Sequence, residues 1–254
     1  MTVLLGTVAI EPNRWGTVDP SRRPTIVLDD WLGPIATAGF DGIELWEGHL
    51  TDAVAAGTTP PVEVFNSYAS FDDEDPARRD AVGRAVARTS SRAVKINVGD
   101  DPGREAAYTE RLAAWLDVLD PAVAVLCECH AGTIAEDPAV AARILGRAGP
   151  ADRVQAVVHS HEDADHLRAR FDAYGDRITH VHVNHLDPER LTAPRLVEVA
   201  DDLAATVALL GRLGFDGSWT IELVHGLLTV DDHPAALVEQ AADDLVVLRA
   251  VLAR

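Results

Sequence analysis

Four residues of the kinds that bind divalent metals follow apolar, strand-like runs in the second half of the chain. The runs are VAVLCECH, VQAVVHSH, ITHVHVNH and SWTIEL, and they carry Glu128, His159, His182 and Glu222. Two carboxylates and two imidazoles around an open position suit Mn²⁺, Co²⁺, Zn²⁺ or Mg²⁺. The imidazoles favour the transition ions, with Mn²⁺ the first choice. These runs therefore predict a divalent-metal site.

A metal held in this way can bind two oxygens of a polyol or hydroxyketone and acidify the C–H beside the carbonyl. The product of that proton loss is an enediolate, which the metal stabilises. Glu128 and Glu222 lie on the fifth and eighth runs, so they could flank the bound carbon, one removing a proton and the other returning it. We predict catalytic roles for both.

Polar and aromatic residues near the ends of the other strand-like runs are candidates for substrate contact. GFDGIELWEGH places Glu44 and Trp46 on one strand face, with His49 in the loop that follows. An aromatic ring beside a carboxylate suits a sugar, although Trp46 packed beneath the loop and Glu44 paired with an arginine is the alternative. Lys95 could bond a substrate oxygen or pair with Glu128. The remaining candidates are Asn66, Asn97, His130, His161 and His185.

Eight β-type runs alternate with stretches of helical periodicity, which predicts a parallel sheet. The runs are Val3 to Ala9, Gly42 to Trp46, Val62 to Tyr68, Val94 to Val98, Val123 to Cys129, Val154 to Ser160, Thr179 to Asn184 and Trp219 to Val224. Eight such strands suit a closed (β/α)₈ TIM barrel, whose active site lies at the carboxyl ends of the strands. A doubly wound open sheet is the alternative, but no G-x-G-x-x-G follows the first run.

Helix boundaries are visible at several points. Asp137-Pro138 opens a helix that closes at Gly149, and Asp163 opens one that ends at Tyr174-Gly175. The stretch from His49 to Pro61 predicts a second helix that is short or missing. Two apolar stripes predict helices that cover the outside of the barrel. One consists of Leu196, Val199, Leu203, Val207 and Leu210, and the other of Leu237, Ala241, Leu245, Leu248 and Leu252.

Composition limits the partners and the compartment. The chain has 254 residues, the usual length of one TIM barrel, and 47% of them are hydrophobic. We therefore expect a single domain over residues 1–254. A net charge of −19 opposes binding to nucleic acid or to an anionic membrane. We find no leader sequence and no apolar run long enough to span a bilayer, so we expect a cytoplasmic protein. The expected partner is a small-molecule carbohydrate, and a homo-oligomer is left open.

The two cysteines, Cys127 and Cys129, lie two residues apart in one strand, so their side chains share the face opposite to that of Glu128. They are interpreted as core thiols behind the strand, although the CECH string is suggestive of a metal motif when strand parity is ignored. No disulfide framework is expected.

Several of these strings resemble the xylose isomerase-like barrel superfamily, in its sugar phosphate isomerase/epimerase branch. They are GFDGIELW, the E-x-H of LCECHAGT, HVHVNH and the W-x-x-I-E of SWTIEL. The resemblance extends from about residue 3 to 250. It implies metal ligation by Glu128, a strand-six residue, His182 and Glu222, with the two glutamates placed for acid/base work as in the ketose 3-epimerases.

Strand six departs from the family pattern. The family usually has an Asp followed three residues later by a His, whereas this chain has His159 in the first position and Glu162 in the second. An imidazole in place of a carboxylate keeps a ligand but removes one negative charge, which alters metal preference. His161 is the alternative ligand.

The same superfamily includes trinuclear-zinc endonucleases that act on abasic DNA. Their additional zinc histidines would fall near Asn66 and Asn97, and the Asp-x-His element that follows strand seven has no counterpart in residues 186–196, LDPERLTAPRL. With the net charge of −19, these differences argue against DNA as substrate.

Three functions fit the sequence. The first is a metal-dependent isomerase or epimerase of carbohydrate metabolism that acts on a ketose or polyol-type substrate through a metal-bound enediolate. The second is a lyase that uses the same enolisation on a 3-keto-glycoside to expel the aglycone by β-elimination. The third is a non-catalytic sugar-binding barrel. Phosphorylated substrates are disfavoured, because no Gly-rich phosphate loop follows strands seven or eight.

Overall fold

Eight parallel strands close into a barrel in their order along the chain, with β8 pairing back to β1. The computed structural model describes residues 1–72, 76–185, 187 and 192–254, and for Trp15 only the backbone. The strands are β1 (Val3–Gly6), β2 (Gly42–Trp46), β3 (Val62–Asn66), β4 (Ala93–Ile96), β5 (Ala124–Glu128), β6 (Val154–His159), β7 (Ile178–Val183) and β8 (Ser218–Ile221). The predicted (β/α)₈ TIM barrel is confirmed.

The helices alternate with the strands. They are α1 (Leu32–Ala38), α2 (Asp52–Ala55), α3 (Ala77–Thr89), α4 (Glu105–Leu116), α5 (Pro138–Ala148), α6 (Ala164–Tyr174), α7 (Ala200–Arg212) and α8 (Pro234–Leu252). As predicted, α2 is a single turn. Helices α5 and α6 begin where expected because the carboxylates of Asp137 and Asp163 accept hydrogen bonds from backbone N–H groups of the first turn.

Strands β1 and β8 are shorter than the sequence predicts. Strand β1 ends at Gly6, and a 3₁₀ helix, Thr7–Ile10, follows it. There the Thr7 hydroxyl, not a strand carbonyl, accepts the Trp46 N–H at 2.9 Å, so the ladder stops. Strand β8 ends at Ile221, yet the Glu222 N–H still donates to the Val183 carbonyl at 3.2 Å. Glu222 therefore keeps its position beside β7.

Two apolar clusters lie on the two faces of the barrel wall. The larger one fills the space between strands and helices, and it includes both cysteines, which are buried and free as expected. The smaller one closes the barrel interior and consists of Leu4, Val64, Ala93, Leu126 and Val157. We call it the inner plug. It forms an apolar base below the carboxyl ends of the strands.

The two predicted apolar stripes face the outer cluster. The first begins earlier than α7, since Leu196 lies in a separate 3₁₀ helix, Leu196–Val199. The second runs along α8. Of the segment 186–196, residues 186 and 188–191 lie outside the described part of the chain. Within the described part, no helix combines the length and the apolar character needed to cross a bilayer.

Candidate metal centre

A layer of polar side chains lies directly above the inner plug. Side chains alternate across a strand, so the residue two positions after each plug residue faces the same interior. On β5 and β6 these residues are Glu128 and His159. On the next two strands, His182 and Glu222 follow the buried His180 and Thr220 at the same spacing. Short strand segments of period two thus bring four potential ligands to one level.

Glu128, His159, His182 and Glu222 form a compact cluster at the barrel mouth. Each offers one ligand atom, and these four atoms all lie within 4.8 Å of one another. Glu128 Oε1 is 3.4 Å from His159 Nε2 and 3.2 Å from His182 Nδ1. Glu222 Oε2 is 3.3 Å from His182 Nδ1 and 3.9 Å from His159 Nε2. The structure therefore brings together all four residues that the sequence predicts as ligands.

His159 is held from behind by an acidic residue of its own loop. Its backbone N–H donates to Glu162 Oε1 at 2.9 Å, and its Nδ1 lies 3.8 Å from the same oxygen. Glu162 is in turn paired with the buried Arg170 at 2.5 Å. Burial alone would lower the pKa of His159, but the carboxylates of Glu128, Glu162 and Glu222 raise it to about 9. The ring nitrogen of His159 that faces the cluster is Nε2.

His182 presents the other kind of ring nitrogen to the cluster. Its Nε2 donates to Glu44 Oε2 at 3.0 Å, on the side away from Glu128 and Glu222. Its Nδ1 lies at 3.2 and 3.3 Å from those two carboxylates and is buried without a hydrogen bond. Burial would lower the pKa of His182, yet the surrounding carboxylates, Glu44 first, raise it well above its usual value.

The two carboxylates of the cluster have different neighbours. Lys95 Nζ donates to Glu128 Oε2 at 2.6 Å, and Asn184 Nδ2 donates to Glu222 Oε2 at 3.1 Å. Burial would raise the pKa of Glu128, but the Lys95 ammonium and the two imidazoles hold it well below its usual range. Burial has the same tendency at Glu222, where His182 lowers the pKa to about 2. Both groups are thus available as anionic ligands.

The donor set fits a divalent transition metal. It offers two carboxylate oxygens and two imidazole nitrogens, and the unpartnered Nδ1 of His182 faces the gap between the carboxylates. A buried nitrogen without a partner is costly, and a bound cation would satisfy it. The cluster can therefore hold the cation whose ligands the sequence predicts.

The predicted substrate contacts occupy different depths. Lys95 reaches the cluster through Glu128, and His130 Nε2 lies 3.8 Å from Glu128 Oε2 with about a third of its side chain exposed. Glu44 and Asn66 lie deeper and bond to each other, Asn66 Nδ2 donating to Glu44 Oε1 at 2.9 Å. Glu44 is therefore paired with neither an arginine nor open solvent. Asn97 is half-buried, and its Oδ1 has no partner.

His49 and Trp46 are not brought to the cluster. His49 is buried, with Nε2 donating to Glu11 Oε2 at 2.9 Å and Nδ1 bonded to the Thr7 hydroxyl at 3.0 Å. The Trp46 ring packs edge-on against His49 at a centroid distance of 5.0 Å, and its Nε1 is buried without a partner. Both ring nitrogens of His49 are thus occupied by the protein itself.

His161 and His185 lie beside the cluster on the β6 and β7 loops. His161 Nδ1 donates to the Asn184 carbonyl at 2.9 Å, and its exposed ring lies 5.4 Å from that of His159. His185 Nε2 shares a hydrogen bond of 3.3 Å with the Ser160 hydroxyl. Partial desolvation lowers the pKa of both imidazoles, and the neighbouring histidine lowers each further, His159 for His161 and His161 for His185.

Three residues outside the predicted ligands and contacts also belong to the surroundings of the site. They are Glu162, Asn184 and Tyr68. Tyr68 follows β3, and although the residue is partly exposed, desolvation and the carboxylates of Glu128 and Glu222 raise its pKa, while Lys95 lowers it. Strand parity could have indicated Asn184 and Tyr68, each two residues beyond an inner-face residue. Glu162 lies in a loop, where periodicity carries no information, but the family motif of strand six already marks its position.

Comparison with known proteins supports the fold of the chain, through similarity to solved structures alone. No protein-family model and no curated protein matches the chain. Solved structures do match, among them three that cover 89–98% of this chain. They confirm the (β/α)₈ barrel fold that the motifs predict.

The first of the three is a probable 3-DHS dehydratase, AsbF, from Bacillus anthracis (14% identity, 97% of this chain and 98% of that one, TM-score 0.65). The second is the 3-keto-D-glucoside 4-epimerase YcjR from E. coli (16% identity, 98% and 99%, TM-score 0.60). The third is endonuclease IV from Thermus thermophilus (15% identity, 89% and 94%, TM-score 0.63). At these identities the likeness concerns the fold alone, so function must be argued from the site.

Proposed function

We propose that this chain, with its xylose isomerase-like TIM barrel, is a divalent-metal-dependent sugar isomerase or epimerase. Its substrate would be an unphosphorylated ketose or a related polyol-type sugar. The metal ligands would be Glu128, His159, His182 and Glu222, with Mn²⁺ as the favoured ion. Among similar structures, one is named as an epimerase and one as a probable dehydratase, so the fold is compatible with such chemistry.

One observation carries the proposal. Two carboxylates and two imidazoles, from β5 and β6, from β7 and from the end of β8, converge to within 4.8 Å at the carboxyl-terminal mouth of the barrel. This is the end of the fold at which TIM-barrel enzymes carry out their chemistry. The cost of burying so many ionisable groups is understandable if they serve a cation and a reacting substrate.

The metal, when bound, would polarise a substrate carbonyl and a neighbouring hydroxyl and so acidify the C–H between them. The chain would move the proton. Glu222, held by the neutral amide of Asn184, is the group we assign to take the proton from carbon. The proton taken by Glu222 would pass to solvent at the barrel mouth. Glu128, on the other side of the cluster, would return a proton that it receives from the ammonium of Lys95 at 2.6 Å. An isomerase would return it to the adjacent carbon, and an epimerase to the opposite face.

The substrate contacts we assign lie on the opposite wall and around the mouth. Asn97 is half-buried and its Oδ1 has no hydrogen-bond partner, so a sugar hydroxyl could satisfy it. His130, His161 and His185 surround the opening. A DNA substrate is not proposed, because the chain carries a net charge of −19 and has Asn66 and Asn97 where further zinc histidines would be needed.

The test is deuterium exchange in D₂O with Mn²⁺ and a panel of ketoses and 3-keto-glycosides. Isomerisation or epimerisation gives a product of unchanged composition that carries one deuterium at the carbon beside the carbonyl. Release of an aglycone would instead show β-elimination and a lyase. Failure to bind Mn²⁺, with no exchange on any substrate, would leave a sugar-binding barrel without catalysis and would refute the proposal.

A further inference from the structure

A second buried polar group lies on the inner side of the cluster. It consists of Glu44, His180 and His182, of which only His182 belongs also to the proposed ligand set. Glu44 is 1% exposed. Burial of a carboxylate costs several kcal/mol unless its oxygens are paired, so the partners of Glu44 indicate what it does.

Both oxygens of Glu44 are engaged by side chains of the barrel interior. Oε1 accepts from Asn66 Nδ2 at 2.9 Å, and Oε2 accepts from His182 Nε2 at 3.0 Å. The carboxylate therefore has a fixed orientation, with one oxygen directed at the ring of His182.

His180 supports this arrangement from below. Its Nδ1 is 2.7 Å from the Ser218 hydroxyl, and its Nε2 is 2.8 Å from the Thr220 hydroxyl. The distance from His180 Nε2 to Glu44 Oε2 is 3.5 Å, longer than the His182 contact. Since hydroxyl groups occupy both nitrogens of His180, the stronger bond of Glu44 Oε2 is to His182.

We propose that Glu44 is a positioning residue for the metal centre. It holds His182 Nε2–H and thereby fixes the ring so that Nδ1 faces Glu128 and Glu222. The inference rests on the proposed function, because it assigns the ligand atom of a proposed ligand. A histidine can bind a metal through either nitrogen, and the hydrogen bond made by the other nitrogen decides which.

His159 shows that the choice is specific to each ring. There Nε2 faces the cluster, and the acidic neighbour, Glu162, lies 3.8 Å from Nδ1. The two imidazoles thus present different nitrogens to the same gap, and each has a carboxylate on its far side. For His182 that carboxylate comes from β2, on the other side of the barrel, and strand β7 alone could not set the ring angle.

Two substitutions separate the charge of Glu44 from its hydrogen bond. Glu44→Gln can keep an oxygen for His182, because Asn66 Oδ1 has no partner and a rotated Asn66 amide would accept from the new NH₂ group. Glu44→Ala removes the acceptor altogether. We expect Mn²⁺ to bind about 10-fold more weakly to Glu44→Gln and up to about 100-fold more weakly to Glu44→Ala, the range for residues behind a metal ligand.

The chain supplies a matched control in Glu11. It too is a fully buried carboxylate bonded to a histidine, His49, at 2.9 Å, but His49 is not among the residues whose ligand atoms converge at the cluster. Glu11→Gln and Glu11→Ala are expected to lower stability and to leave the Mn²⁺ affinity at the wild-type value. Mn²⁺ titration by calorimetry, at a temperature where every variant is folded, makes the comparison.

Crystal structures of the metal-free variants complete the test. In Glu44→Ala the His182 ring should rotate or occupy several orientations, whereas in Glu11→Ala it should remain as in the wild type. An unmoved ring, or wild-type Mn²⁺ affinity in Glu44→Ala, overturns the inference. The inference is also overturned if the wild type binds two equivalents of Mn²⁺ and Glu44→Ala binds only one, since Glu44 would then be a metal ligand itself. A wild type that binds no Mn²⁺ refutes the proposed function, and the ring orientation still decides the inference.

Discussion

At the residue scale, the two glutamates of the cluster are chemically unequal. Glu128 is paired with a buried ammonium, Lys95 Nζ, at 2.6 Å, whereas Glu222 bonds to the neutral amide of Asn184 at 3.1 Å. A cation so close stabilises the carboxylate anion more than an amide does, so Glu222 is the better group to accept a proton from carbon. This difference directs the first prediction to Glu222.

Glu222→Gln should lower deuterium exchange and turnover by about 10²- to 10⁴-fold, the contribution of a general base. The amide keeps an oxygen for Asn184, so circular dichroism and the urea midpoint should stay close to the wild type. Glu239→Gln, an exposed position on α8, is the control and should leave turnover unchanged. Turnover retained in Glu222→Gln would refute the assigned role.

The ligand on strand β6 is a second question at this scale. His159 is buried with Nε2 toward Glu128, whereas His161 is exposed and donates to the Asn184 carbonyl. His159→Ala should therefore weaken Mn²⁺ binding at least about 10-fold, since even residues behind a ligand have effects of that size. His161→Ala should leave the affinity unchanged. The reverse result in calorimetric titration would move the ligand to His161.

At the scale of elements, Glu11 links the segment between β1 and α1 to the loop that follows β2. Its carboxylate accepts from the Asn13 N–H and from the Thr25 hydroxyl, at 2.7 and 2.6 Å, and from His49 in the loop after β2. Burial would raise its pKa, but His49 and Thr25 lower it from 4.5 to about 2. The folded protein therefore favours the ionised form.

This shift predicts how stability depends on pH. A carboxylate with a lowered folded pKa stabilises the protein above its unfolded pKa of 4.5, and the benefit is lost as the pH falls toward 2. At pH 7 the contribution is on the order of 3 kcal/mol. The difference in unfolding free energy between wild type and Glu11→Gln should decrease by about 1.4 kcal/mol between pH 7 and pH 3.5. Urea unfolding at each pH measures the unfolding free energy of both proteins. If the two free energies changed in parallel with pH, the lowered pKa assigned to Glu11 would be wrong.

At the scale of the whole molecule, the cluster should link metal binding to stability. Its ligands come from four consecutive strands or their ends, so a bound ion connects one half of the barrel. Mn²⁺ at 100 times its Kd should stabilise the folded state by about 2.7 kcal/mol. For a chain of this size that raises Tm by about 5 to 10 °C.

The excess acidic charge requires a control for this measurement. A net charge of −19 attracts any divalent cation weakly, so His159→Ala, which keeps every acidic side chain, shows the non-specific part. The specific shift should disappear in His159→Ala, persist in Glu239→Gln and reverse with a chelator. An equal Tm shift in wild type and His159→Ala would mean that Mn²⁺ does not bind at the cluster.

The barrel and the level of its site follow from the amino-acid sequence without further information. Alternating apolar runs and helical stretches give eight parallel strands, and period two along each strand puts Glu128, His159 and His182 on the inner face. Such periodicity is local, so it is visible without any contact between distant residues. Cys127 and Cys129 fall on the outer face for the same reason.

What each inner-face residue touches depends on the closed fold. Glu44 is 138 residues from His182 in sequence, and closure of the barrel makes them partners at 3.0 Å. The sequence offered Glu44 as a substrate contact because strand parity gives direction but no depth. Likewise, His49 follows a strand end as a ligand would, yet Glu11 and Thr7 hold both of its nitrogens. Contacts of this kind arise from closure of the barrel and from packing of the loops, so no periodic pattern in the sequence indicates them.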